Sequence, residues 1–137
     1  MIFLYFCIIY SLNLYIMYSF EKLEVWKESK TLVLLVYEAL KEFPPSERFA
    51  LCDQIRRAVI SVPSNIAEGS GRKSIKEKIH FIEIAYGSLM ESYCQLLIAV
   101  DLNYISISNV NKMKSEFEYV SKMLIGLRAS FKKHLNT

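Results

Sequence analysis

The stretch Gln54–Arg72, QIRRAVISVPSNIAEGSGR, decides the fold. Together with the preceding Cys52, its apolar residues Ile55, Val59, Val62 and Ile66 recur at spacings of 3, 4, 3 and 4, the seam of a packed helix, and the seam runs straight through Pro63. A proline inside a helix leaves the carbonyl four residues earlier, here that of Val59, without its donor and crowds it with the ring, at a cost of about 3 kcal/mol. The pattern therefore predicts a helix that continues with a kink at Pro63, the freed group being satisfied by Ser61, Ser64 or the Asn65 amide. Asn65 and Glu68 lie three apart and share a face, where Glu68 is placed to fix an arginine. Gly69 and Gly71 close the helix.

Working outward, three further seams appear. The first helix reads Leu23, Trp26, Lys30, Val33, Tyr37, Leu40 and stops at Pro44-Pro45, because the residue before a proline is pushed out of helical geometry. Ser46 is then expected to cap the second helix. The third seam is Ile75, Ile79, Ile82, Tyr86, Leu89, Tyr93, Leu96, Val100, opened by Ser74 and Glu77 as a capping box and ended near Asn103, which tolerates left-handed geometry. The fourth is Val110, Met113, Phe117, Val120, Leu124, Leu127, Phe131, with Ser108 as expected N-cap. No stretch alternates with period two for long enough to argue a sheet. Short loops between long amphipathic helices predict an all-α fold, an antiparallel up-down-up-down four-helix bundle over residues 20–137 with a proline-kinked second helix. Leu32, Leu34, Leu35, Val36, Phe81, Ala85, Leu97 and Ile98 widen the apolar surface beyond one stripe. Self-association accounts for them; the alternative is an oblique core that needs about three apolar positions per heptad.

The 137-residue chain has room for one domain. Residues 1–19 stand apart as an apolar extension. Met1 to Phe20 carry no charge and are long enough to span a bilayer, yet they lack a basic leader and a small-residue cleavage site. Met1 to Ile16 read as an upstream extension from a misplaced start codon, with a membrane segment or a packed extra helix as the alternatives. Cys7, Cys52 and Cys94, odd in number and in apolar contexts, read as buried thiols of a reducing, cytoplasmic protein. The net charge is only +3, but it is uneven: residues 54–80 hold six basic and two acidic groups, residues 81–101 three acids and no base, and residues 102–137 six basic and two acidic.

Catalytic chemistry finds little to work with. A carboxylate-bridged di-iron bundle needs two Glu-x-x-His motifs; Glu77 and His80 supply one, while His134 has Phe131 where its glutamate belongs. Neither histidine shares a helix with Cys52, nor is there an oxyanion motif beside Cys94. Gly69-Ser70-Gly71-Arg72-Lys73-Ser74 has neither the spacing nor the Gly-Lys-Ser/Thr ending of a phosphate loop, and it reads as a helix stop before a capped helix. No enzyme, metal or cofactor is expected. What remains is the basic cluster Arg56, Arg57, Arg72, Lys73, Lys76 and Lys78, which either grips phosphates or pairs with Glu68 and the acids of neighbouring helices. Arg56 and Arg57 cannot both follow the line of Ile55 and Val59, and at least one is expected to meet Glu68 or another chain.

The same motif carries a resemblance. QIRRAVISVPSNIAEGSGR, with FEKLEVWKESKTL at Phe20–Leu32, FPPSERFAL at Phe43–Leu51, IAYGSLMES at Ile84–Ser92 and LNYI at Leu102–Ile105, resembles the bacterial four-helix-bundle proteins of intervening sequences within 23S ribosomal RNA genes. A related branch accompanies reverse transcriptases of diversity-generating retroelements as an RNA- and protein-binding accessory. The resemblance marks Pro63, Ser64, Asn65, Glu68 and Gly69 as signature positions without a catalytic role. It implies a non-enzymatic homo-oligomer, a pentameric ring, with RNA or DNA as ligand or a protein such as a polymerase as partner. A membrane-tethered bundle is the third reading, should residues 1–20 be translated.

Overall fold

The computed structural model describes residues 18–136; the stretch 1–17, with Cys7, and Thr137 lie outside the described residues. Four helices carry the chain: α1 (Glu24–Ala39), α2 (Leu51–Ser70), α3 (Ile75–Asp101) and α4 (Ile107–Leu135). Short 3-10 turns occupy Ser19–Lys22, Leu40–Glu42 and Pro45–Glu47, and there is no strand among the described residues. Each helix packs on its neighbour in sequence and α1 also packs on α4, so the four close into the up-down-up-down bundle with α1 diagonal to α3.

The seam of α2 is the core's spine. Cys52, Ile55, Val59, Val62 and Ile66 are all buried, and the helix is unbroken through Pro63. The Ser64 hydroxyl donates to the Ile60 carbonyl at 2.9 Å, and the Asn65 amide donates to the Ser61 carbonyl at 2.7 Å and the Ser61 hydroxyl at 2.8 Å. The polar support expected around the proline is therefore present, but it serves the carbonyls of residues 60 and 61 rather than that of Val59. From α3, Ser88 donates to the same Ser61 hydroxyl at 3.0 Å, which ties the motif across to the next helix.

In α1 the buried line is Val25, Ser29, Leu32, Val36 and Leu40, so the expected seam is displaced around the helix. Lys30 is exposed and lies over the Trp26 ring at 4.3 Å, while Val33 is half-buried and Tyr37 exposed. The real line escapes the eye because a serine sits in it. Ser29 can be buried because its hydroxyl donates to the Trp26 carbonyl at 2.7 Å, leaving no unpaired donor. In α3, Ile79, Ile82, Leu89 and Leu96 are buried as expected, but the other core seats belong to Ala85, Ser92 and Ala99, and Tyr86, Tyr93 and Val100 are only half-buried at its edge. Small residues at these seats let α3 approach its neighbours closely, and its most extensive contact is with α2. Cys94, expected to be buried, is exposed on the outer face of α3, whereas burial of Cys52 pushes its thiol pKa up against the opposing pull of Arg56.

Two caps move. Ser46 lies in a 3-10 turn, and α2 instead starts after Ala50 with no side-chain cap from that residue. The Glu47 carboxylate accepts from the Leu51 N–H at 3.2 Å and from the Tyr104 hydroxyl at 3.1 Å, so one acid both supports the helix start and pins the α3–α4 loop. α4 is capped by Ser106, not Ser108: the Ser106 hydroxyl accepts from the Asn109 N–H, and burial of Ile105 fixes the chain just before it. Ser74 caps α3 as expected, accepting from the Glu77 N–H at 3.1 Å. Asn103 ends α3 at φ 61°, with the Tyr104 N–H bonded to the Ala99 carbonyl and the Asn103 N–H to the Val100 carbonyl.

One polar pair inside the helix contacts carries a pH dependence. Partial burial, then the hydrogen bond and charge of Glu28, raise the pKa of Glu116, one of whose carboxyl oxygens is buried without a partner. A carboxyl with a raised folded-state pKa binds its proton more tightly in the folded chain, so its unfavourable contribution grows as pH rises above the ordinary glutamate value of about 4.3. Glu116→Gln is therefore expected to raise the melting temperature at pH 7, with the gain shrinking towards pH 4. Thermal melts across that range check this, and a variant less stable at every pH contradicts it.

Candidate nucleic-acid interface

The six basic residues singled out from sequence do not form one patch. Arg56 and Arg57 belong to the first turns of α2; Arg72, Lys73, Lys76 and Lys78 surround the α2–α3 turn, about 20 Å further along at 1.5 Å per residue. Arg56 donates to the Arg48 carbonyl at 3.2 Å and sits 5.8 Å from the Tyr37 ring, so it is used within the fold. Arg57 is 81% exposed and pairs with Asp53 at 3.1 Å. Neither meets Glu68. That carboxylate instead holds Arg72 at 2.7 Å, and the Arg72 guanidinium lies 4.7 Å from the Phe81 ring, a contact that fixes its plane at the turn.

The up-down topology brings other charges to the Arg72 end. The start of α1, the end of α2, the start of α3 and the end of α4 converge there, where Ser19, Leu23, Gly69, Lys78 and Phe131 line one cavity. Lys22 therefore joins Arg72, Lys73, Lys76 and Lys78, together with Arg128, Lys132 and Lys133 from α4. Glu68 and Glu83 neutralise part of this charge, the latter at 3.7 Å from Arg128. Among the described residues neither Lys73 nor Lys76 has an ion-pair or hydrogen-bond partner, and both are exposed. Lys78 donates to the Ser70 carbonyl at 3.3 Å. Lysines beside the N-terminus of α3 run against the preference of a helix start for negative charge, so local helix electrostatics does not account for them. Lys22, Arg128, Lys132 and Lys133 were missed in the sequence because linear distance hid them, although the expected alternation of helix direction would have placed them together.

The signature residues build the frame under this end. Gly69 is buried where α2 and α3 cross, and a Cβ on it would stand 2.8 Å from the Cβ of Phe81. Ser61, Ser64 and Asn65 hold the middle of α2, and Glu68 holds Arg72. His80 is exposed, edge-on to Phe81 at 5.7 Å. No group of three His, Cys, Asp or Glu side chains among the described residues could hold a metal ion, and no helix among them is long and apolar enough to cross a membrane.

Fold and frame thus define an all-helical up-down bundle with a basic end and a proline-bearing second helix. The chain matches the family described as 23S rRNA-intervening sequence protein over residues 21–126, and it belongs to that family. Its fold is similar to the crystal structure of a protein of unknown function from the S23 ribosomal protein family of Bacteroides thetaiotaomicron, with a TM-score of 0.69 and 21% sequence identity. The alignment covers 76% of this chain and 97% of that one. No curated protein matches the chain.

Proposed function

We propose that this protein is a non-enzymatic, self-associating bundle that binds nucleic acid, RNA in the first instance, through the basic end formed by the α2–α3 turn and the end of α4. The observation that carries the reading is the convergence of Lys73 and Lys76, which lack partners among the described residues, with Lys22, Lys78, Lys132 and Lys133. Flexible lysines without internal partners are free to replace the counterions of phosphates. RNA is the first choice of probe because the names of the family and of the structural neighbour's family refer to ribosomal RNA and the ribosome. Self-association draws support from the outer face of α3, where Ile84, Met90, Leu97 and Ile98 are exposed beside Cys94 and only acids, Glu83, Glu91 and Asp101, interrupt them. That face also suits a partner protein, the second reading.

Fluorescence anisotropy with labelled RNA across a salt series tests the proposal. The logarithm of the binding constant is expected to fall linearly with the logarithm of salt concentration, by about 0.7 per phosphate contact for single strands and 0.9 for duplex. The double reversal Lys73→Glu and Lys76→Glu should weaken binding to all sequences alike and flatten that slope by about one to two units, with the melting temperature nearly unchanged because both side chains are exposed. Light scattering on the same sample should give a mass several times that of the monomer. Absence of RNA and DNA binding at about 50 mM salt removes the nucleic-acid reading and leaves the protein-adaptor one; a monomer at micromolar concentration removes self-association.

A further inference from the structure

At the centre of the basic end the four helix termini do not close completely. They leave a cavity of about 170 Å³ walled by Leu23, Ile66, Ile82, Leu127 and Phe131, with Ser19, Ser70 and Lys78 as its polar members. An apolar cavity of about 150 Å³ is enough to take a benzene ring, so this one accommodates a planar ring of comparable size. Its chemistry is specific in a second way. One wall is aromatic, and the Lys78 ammonium stands 6.0 Å from the Phe131 ring centroid while donating to the Ser70 carbonyl at the cavity edge. Apolar faces with a few hydroxyl and ammonium groups match an object that is flat and apolar on its faces and polar at its rim.

We infer that this cavity receives one unpaired nucleobase of a single-stranded or bulged nucleic acid, stacked against Phe131, while the lysines around it hold the flanking phosphates. The inference rests on the nucleic-acid reading above and narrows it to strands that present a free base. Charge selects this occupant over a neutral apolar one. Lys78 lines the cavity itself, Lys22 directly precedes the wall residue Leu23, Lys132 directly follows Phe131, and Lys73 and Lys76 lie just before Lys78 in the chain, so cations outnumber the neighbouring acids Glu21, Glu24 and Glu77 at this end. A continuous duplex offers phosphates to the same lysines but keeps its bases paired and stacked, out of reach of the cavity.

Two probes of equal phosphate number decide the matter with the full chain: a labelled single-stranded RNA of about 12 nucleotides, within the site size of small single-strand binders, and a duplex carrying the same charge. The first variant is Phe131→Ala, which removes the stacking wall at a half-buried position; the second is Ser19→Trp, which fills the cavity from an exposed position and disturbs no core packing. Each is expected to weaken single-strand binding by about tenfold, the scale of one lost base stack, and to leave duplex binding within about twofold. A 2-aminopurine placed in the single strand should be quenched by the native chain and recover its fluorescence with either variant. Equal losses on both probes, or no loss on either, overturn the base pocket while leaving phosphate contact intact. If the native chain binds neither probe, the pocket and the nucleic-acid reading fall together. Thermal melts run alongside identify a variant that loses binding through unfolding, in which case the other variant decides.

Discussion

Leu89→Ala is expected to destabilise the bundle by about 3 kcal/mol, whereas Leu97→Ala, eight residues later on the same helix, should change its stability by less than about 1 kcal/mol. Leu89 is fully buried in the core that α3 shares with α2 and α4; Leu97 is 39% exposed on the outer face. Truncating the first removes the transfer free energy of the side chain and leaves a cavity that Ala85 and Ser92, already small and on the same face of α3, cannot fill. Truncating the second removes surface that water already touches. Urea unfolding of both variants measures the difference, and light scattering adds the complementary outcome: Leu97→Ala should reduce self-association while Leu89→Ala, if still folded, should not. Equal stability losses would contradict the packing described here.

Gly69→Leu is expected to cost a further large amount, about 3 kcal/mol, and Gly69→Ala about 1 kcal/mol. The sign is not obvious, because alanine is the better helix former by about 1 kcal/mol and the glycine lies within α2 rather than past its end. Overpacking prevails because the added Cβ would meet the Cβ of Phe81 at 2.8 Å, an atom held by the α3 backbone rather than the tip of a flexible chain. Relief requires α2 and α3 to separate at their crossing, which also moves Arg72 off the Phe81 ring and widens the cavity mouth at the basic end. Denaturant unfolding gives the stability loss; a Gly69→Ala variant more stable than the native chain would show that the helices separate freely.

The legibility of this fold varied helix by helix for physical reasons. In α2 the large buried side chains are Cys52, Ile55, Val59, Val62 and Ile66, and most of the positions between them are polar or small, so periodicity alone names the buried face even across Pro63. In α1 the run Leu32–Tyr37 is apolar throughout, so any line drawn through it looks like a seam, and the true one was hidden by Ser29. In α3 the core contacts are made by Ala85, Ser92 and Ala99, which carry too little hydrophobicity to mark a face, while the large Tyr86 and Tyr93 attract the eye from its edge. Cys94 was misplaced for the same reason: an apolar context in sequence can be an apolar outer surface.

The candidate site was half legible. Arg72, Lys73, Lys76 and Lys78 are adjacent in the chain and stay together in space, and the partner expected for Glu68 is an arginine, Arg72. Arg56 and Arg57 were grouped with them by sequence distance but lie towards the other end of α2, each engaged by its own neighbours. Helical periodicity, proline and glycine chemistry and the capping residues by themselves determined four helices, their order and their antiparallel connection, because these are local properties of each segment. Only the tertiary structure decided which face of α1 and α3 is buried, that Gly69 is a contact and not merely a helix stop, and that Lys22, Lys132 and Lys133 lie at the same end of the bundle as the α2–α3 turn. Those facts depend on how closely two helices approach and on which ends meet, distances that lie between residues far apart in the chain and leave no mark on the periodicity of either.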